Sequence, residues 1–190
     1  MPFNIAEFRS YVHQRGLSKN NLFEAKIFPP SDVGRGDTLR FFCESVSIPD
    51  FGVDTSLIKT HGIGPGTQRP NNSKLGELSC NFYVDGIFEQ KELFYKWMQK
   101  VVNYNNESYD TRVNNMLPYE FGYLSDYAGS IEIKIFSDNS EDNFYEHRFG
   151  NAYPTNIGNI QLSWGNNAEL MILPIQFAYN IYSNTTSRRT

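Results

Sequence analysis

The side chains best suited to chemistry in this chain are three histidines, two cysteines, a glycine-rich run and an acidic turn. His13, His61 and His147 lie far apart, and none has a carboxylate or cysteine at a metal-ligand spacing. They read as solvated or structural histidines. Gly62-x-Gly64-Pro65-Gly66 is no phosphate loop, because Pro65 deletes a backbone donor and neither a P-loop nor a dinucleotide fingerprint is completed. Asp138, Glu141, Asp142 and Glu146 concentrate negative charge but lack the ordered positions of a calcium loop, so a solvated turn is expected. Cys43 and Cys80 sit among apolar residues and read as buried free thiols. No nucleophile elbow and no paired acid and base occur. The chain is therefore expected to be no enzyme and to need no metal or cofactor.

Composition narrows the classes further. The 190 residues, 39% hydrophobic, suffice for one substantial core, so a single domain over 1–190 is expected. Against 21 acidic residues stand 17 basic ones, a formal net charge of -4, and no basic run exceeds Arg188-Arg189. That balance does not recruit nucleic acid, which needs clustered Lys and Arg. The first ten residues lack a secretory h-region, and no stretch approaches the roughly 20 apolar residues of a membrane span, so a soluble cytosolic product is expected. Without secretion, the Asn-x-Ser/Thr triplets at Asn72, Asn106 and Asn184 carry no glycosylation meaning.

The elements follow from period. Asn4 and Glu7 resemble a capping pair for a short helix over 4–15, with Ile5, Phe8, Tyr11 and Val12 at helical spacing and Gly16 as its stop. Residues 21–28 alternate Phe23, Ala25 and Ile27 against Leu22, Glu24 and Lys26, and Leu39 to Ser47 alternates likewise, so the two could pair as a hairpin. Val53 to Thr60 reads as an exposed strand. His61 to Gly76 has no apolar period and reads as a loop that is disordered or mobile in the monomer and ordered against a neighbour. Leu78, Cys80, Phe82 and Val84 alternate in the next strand. The period then changes: Leu93, Phe94, Trp97, Met98, Val101 and Tyr104 form one helical stripe, with Asp85 or a residue near it placed to cap its start and Lys100 at its end. Asn103 to Gly129 reads as a long connection. Ile131, Ile133 and Ile135 mark a strand, and Phe144 to Phe149 its partner after a turn at Asp138 to Ser140.

Phe149 to Tyr182 organises the rest. Ile160, Leu162 and Trp164 are expected to form a hairpin through Gly165-Asn166-Asn167 with a long strand whose core face is Met171, Leu173, Ile175, Phe177, Tyr179 and Ile181. Pro174 marks that strand as an edge or bulged. The tally is about eight strands, one long helix between the fourth and fifth, and a short first helix: a mainly β fold, sandwich or barrel, with one packed α-helix. Residues 183–190 read as a flexible tail.

Several of these segments carry a resemblance. Asn21-Leu22-Phe23 opens the first strand, Phe42-Cys43-Glu44 precedes Ile48-Pro49, Phe94 and Trp97 share the long helix, and Tyr153-Pro154-Thr155-Asn156-Ile157-Gly158 leads into Ile160-x-Leu162-x-Trp164. From about Asn20 to Tyr182 the chain resembles the tail tube proteins of contractile-tailed bacteriophages. It departs from them in its longer 61–76 and 103–129 segments and its 183–190 tail. The resemblance implies a structural virion protein: homohexameric rings whose subunit sheets join into one continuous barrel around a lumen, helix outside, stacked into the inner tail tube that templates the contractile sheath. It further implies as partners the sheath, baseplate, tail-terminator and tape-measure proteins and double-stranded DNA passing without specific binding, with no membrane, in a virion assembled in the host cytoplasm. A baseplate tube initiator, or the tube of a phage-like contractile injection or secretion system, shares these features. If the lumen conducts DNA, an acidic excess is expected to face inward, with Glu132, Glu146 and the Asp138 to Asp142 turn as candidates.

Overall fold

A computed structural model describes residues 5–15, 17–59, 62, 64–104, 116–137, 140–160, 162–165 and 170–187. In chain order the elements are α1 (Ile5–Arg15), β1 (Phe23–Phe28), α2 (Leu39–Phe42), β2 (Cys43–Ser47), β3 (Phe51–Ile58), β4 (Thr67–Leu75), β5 (Leu78–Tyr83), α3 (Glu89–Val101), α4 (Leu124–Tyr127), β6 (Gly129–Ser137), β7 (Ser140–Ile157), β8 (Ile172–Ala178) and β9 (Ile181–Ser187). The fold is mainly β and antiparallel.

The spine is β7, 18 residues long, which the sequence showed only as Phe144 to Phe149. It serves two sheets in turn. Its first part pairs with β6 on one side and β9 on the other, and its last part pairs with β8. The change of partner falls at Asn151, which holds a left-handed φ of 50° that asparagine tolerates better than most residues. Opposite it, the long strand expected over 171–182 is broken: Asn180 bends the chain, its N–H donating to the Gly150 carbonyl at 3.2 Å, and β8 and β9 run as separate strands. The hydrogen-bonded path is β1-β6-β7-β8-β5-β2, with β9 on β7. It is open. β1 and β2, its two ends, do not pair among the described residues, so the subunit by itself is not a closed barrel.

Alternation places the core correctly in most strands. Ala25, Ile27, Leu78, Cys80, Phe82, Ile131, Ile133, Phe149, Leu173, Ile175 and Phe177 join one buried cluster with α3 residues Leu93, Phe94 and Trp97. The α3 stripe packs through Phe82–Phe94 and Trp97–Phe177 ring contacts, with centroids 5.0 and 5.9 Å apart. Trp97 also donates its indole N–H to the Tyr127 carbonyl at 2.7 Å, which satisfies its one polar atom inside the core. Gly129 lies so close beneath Trp97 that a β-carbon there would meet the ring at 2.7 Å. As expected, Asp85 receives the Glu89 N–H at 3.0 Å, and Gln90 returns the favour to the Asp85 N–H at 3.1 Å.

Several expectations need correction. Leu39 to Ser47 is not one strand: Leu39–Phe42 is a helical turn, and β1 pairs with β6 while β2 pairs with β5. Most of the 61–76 loop is the strand β4, paired along its length with β3. The described residues 160 and 162–164 form no strand; Leu162 and Trp164 are exposed, and β8 lies between β7 and β5 instead. Pro174 therefore sits inside a sheet. Its carbonyl accepts from the Gly158 N–H at 2.7 Å, just past the last paired residues of β7 and β8, so the missing donor falls at the margin of that ladder. Ile181 is exposed rather than core, and residues 183–187 of the supposed tail continue β9. The tally accordingly rises to nine strands among the described residues.

Candidate assembly surfaces

The sequence candidates for chemistry do not converge. His13 is exposed on α1, and His61 lies outside the described residues, as do Asp138 and the side chains of Glu141 and Asp142. His147 is stacked on Phe149 and accepts or donates a 2.9 Å hydrogen bond with the Tyr182 hydroxyl; burial lowers its pKa. Cys43 and Cys80 are free thiols near each other, and burial pushes Cys43 up to about 12 and Cys80 upward as well. Such thiols are poor nucleophiles. Among the described residues no group of His, Cys, Asp and Glu could hold a metal. No described helix is long and apolar enough to cross a membrane.

Order appears instead on the face of β1, β6 and β7 that points away from the core. Glu24 opposes Lys134, which opposes Glu146; one row on, Lys26 opposes Glu132, which opposes Arg148. The result is a checkerboard of three acids and three bases. Its ion pairs run along and across strands: Lys26–Glu24 at 3.3 Å, Lys134–Glu146 at 3.6 Å, Arg148–Glu132 at 3.6 Å and Arg148–Glu146 at 3.1 Å. Arg40 from α2 adds a contact to Glu24 at 3.6 Å. Glu146 is held so closely between Lys134 and Arg148 that its side chain is only 4% exposed. On β9 the same rows end in uncharged Thr185 and Ser183.

Glu132 and Glu146, two of the candidates for an inward acidic excess, are each matched by cations. The signal was in the sequence as three acid-x-base triplets, Glu24-Ala25-Lys26, Glu132-Ile133-Lys134 and Glu146-His147-Arg148. Laid antiparallel with aligned centres, identical triplets complement one another automatically. Sequence reasoning missed this because it requires knowing that β1 pairs with β6.

A second surface is the β3–β4 ribbon. These strands pair only with each other among the described residues. Opposed residues share a face, so Phe51, Val53, Thr55 and Leu57 lie with Leu75, Ser73, Pro70 and Gln68, while Gly52, Asp54 and Ser56 lie with Lys74, Asn72 and Arg69. One face gathers Phe51, Val53, Leu57, Pro70 and Leu75 among Thr55, Ser73 and Gln68; the other is mostly polar, with Ile58 opposite Thr67 at its end, and holds a 2.6 Å Lys74–Asp54 pair. Yet Val53 and Leu57 are 62% and 58% exposed. The ribbon is fastened at its root, where Phe51 packs on Tyr182 with ring centroids 4.5 Å apart and Gly76 donates to the Asp50 carbonyl.

The third surface is the outer edge of β9, Ile181–Ser187. Among the described residues it pairs with β7 on one side only, and over 181–187 it carries no charge, proline or bulge. Those are the devices that normally guard an open edge.

A family model for phage tail tube proteins matches residues 2–185. The chain belongs to the phage tail tube protein family. Among curated proteins none matches it. Solved structures share the fold at low identity. One, in the sheath-tube complex of an extracellular contractile injection system in its extended state, is 15% identical with a TM-score of 0.60, covering 93% of this chain and 97% of that one. Another, in the tube-terminating cap of an anti-feeding prophage, is 14% identical with a TM-score of 0.61, covering 90% and 92%. A third, in the sheath/tube terminator of the first system, is 14% identical with a TM-score of 0.60, covering 88% and 95%. Membership of the tail tube family gives the chain a structural role in a tail.

Proposed function

We propose that this tail tube family member forms homohexameric rings that stack into the inner tube of a contractile tail, conduct double-stranded DNA through the lumen and template the sheath. The observation that carries the reading is the unguarded edge of β9. An uncharged strand edge of this length invites pairing with another chain, and a closed ring satisfies it without open-ended aggregation. The ribbon supports stacking: a two-stranded hairpin with a bare apolar face is marginal in water, and a neighbouring subunit would cover it. The expected partners are other copies of the chain, the sheath, baseplate, tail-terminator and tape-measure proteins, and passing DNA; the expected place is the virion tail, after assembly in the host cytoplasm.

Electron microscopy of the purified protein tests this. Stacked rings or tubes support it. Single rings that never stack favour a terminator or baseplate initiator, and monodisperse monomers at high concentration contradict it. Tubes whose source encodes no capsid would shift the reading to an injection system.

A further inference from the structure

We propose that the checkerboard face of β1, β6 and β7 is the conduit face of the tube, and that Glu24, Glu132 and Glu146 act there as built-in counter-ions that keep Lys26, Lys134 and Arg148 from gripping a polyanion. The inference rests on the ring reading above and adds which face meets the cargo and how it lets the cargo slide. Two other large surfaces compete for the role. The outer face of β8, β5 and β2 carries Gln176, Pro174, Asn81, Ser79 and Ser45, with Glu44 accepting from the Ser45 hydroxyl but no alternating lattice of charge, and its edge strand β2 is five residues long with an irregular register. The sheet of β1, β6, β7 and β9 has longer strands and the free β9 edge, so it makes the taller continuous wall when edges join. The ribbon face is apolar and suits a protein contact.

The chemistry follows from counter-ion exchange. A lysine or arginine binds a phosphate backbone mainly by releasing condensed cations, and each such contact adds about 0.9 to the slope of log affinity against log salt. A cation already held by a carboxylate must first lose that partner, so little is gained. Charges alternating at strand spacing also cancel beyond a few ångströms, well within the Debye length of about 10 Å at 0.1 M salt. Such a wall neither holds DNA nor repels it. An acidic wall would do the second.

The test uses the full chain and a fluorescent linear DNA duplex. Parent tubes should retain almost none at any salt. Glu24→Gln with Glu132→Gln should retain it at low salt, at least tenfold more than the parent, release it as salt rises, and protect it from nuclease. As a control, Glu89→Gln with Glu92→Gln on α3 removes the same charge elsewhere and should leave retention at the parent's level. Glu24→Gln alone, a milder change, should give a smaller rise. Retention that stays at the parent's level in the lattice variants, that rises equally in the α3 variant, or that leaves the DNA open to nuclease overturns the proposal. Anisotropy on unassembled subunits, where this face is already exposed, gives the same comparison when no tubes form. Loss of the ring reading and loss of the counter-ion idea are therefore separate results.

Discussion

The charged face of β1, β6 and β7 and the β3–β4 ribbon are both antiparallel, yet one is finished within the subunit and the other is not. On the sheet face every charge finds its opposite through register alone. On the ribbon, register does the reverse: it gathers Phe51, Val53, Leu57 and Leu75 onto one side, where Phe51 packs on Tyr182 and the other three stay mostly exposed. The lesson concerns where a partner is needed. A surface balanced by its own strands can face a passing polymer, whereas a surface whose apolar half is bare has a free energy that only another chain can lower.

The comparison breaks first if the core that supports both regions is weak. Trp97→Ala removes a fully buried ring and its hydrogen bond to Tyr127, and should lower stability by about 3 to 5 kcal/mol in denaturant titration, with assembly lost secondarily. A parent-like midpoint would mean that α3 is not the clamp between the sheets.

Ribbon substitutions sharpen the contrast. Val53→Asp with Leu57→Asp should change monomer stability by no more than about 0.5 kcal/mol, because both side chains already meet water, while abolishing stacking. Sedimentation reads the second effect and thermal melting the first. Assembly at the parent's rate would show the apolar face to be incidental. On the sheet face the order inverts: Glu132→Lys sets like charges opposite Arg148 and Lys26 and should lower stability by about 1 kcal/mol, easing with salt, before any effect on assembly.

The smallest effect is expected with pH. Burial depresses the His147 pKa below its ordinary 6.5, so the folded state binds fewer protons than the unfolded chain as the pH falls through and below that value. Stability is complete above about 6.5 and declines as the solution is acidified past it. Among the described residues the ring's hydrogen-bond partner is the Tyr182 hydroxyl, and Tyr145 and Phe149 lie against it. Tyr182 also carries Phe51, so the ribbon root should loosen in the same range. His147→Gln should flatten this part of the melting profile, leaving the carboxylates to govern lower pH.

How much of this was legible in the sequence differs between the same regions. Strands with one buried face, such as Leu78, Cys80 and Phe82, announce themselves by alternation, and the α3 stripe by its helical period. Thr67 to Leu75 could not, because all nine residues are exposed and only their pairing with β3 makes them a strand. Ile160, Leu162 and Trp164 alternate convincingly, but apolar side chains spaced for a strand also suit a surface loop that meets a partner. The charged lattice was written in three triplets and hidden by topology. The break at Asn180 was hidden too, since a bend between β8 and β9 leaves the apolar alternation undisturbed up to Tyr179.

Amide hydrogen exchange, compared between dispersed and assembled protein, tests the central claim most directly. The account predicts that β9, Ile181–Ser187, has fast-exchanging outward amides in the free subunit that become protected on assembly, as its edge joins another chain. Assembled material in which these amides exchange as fast as before would contradict it.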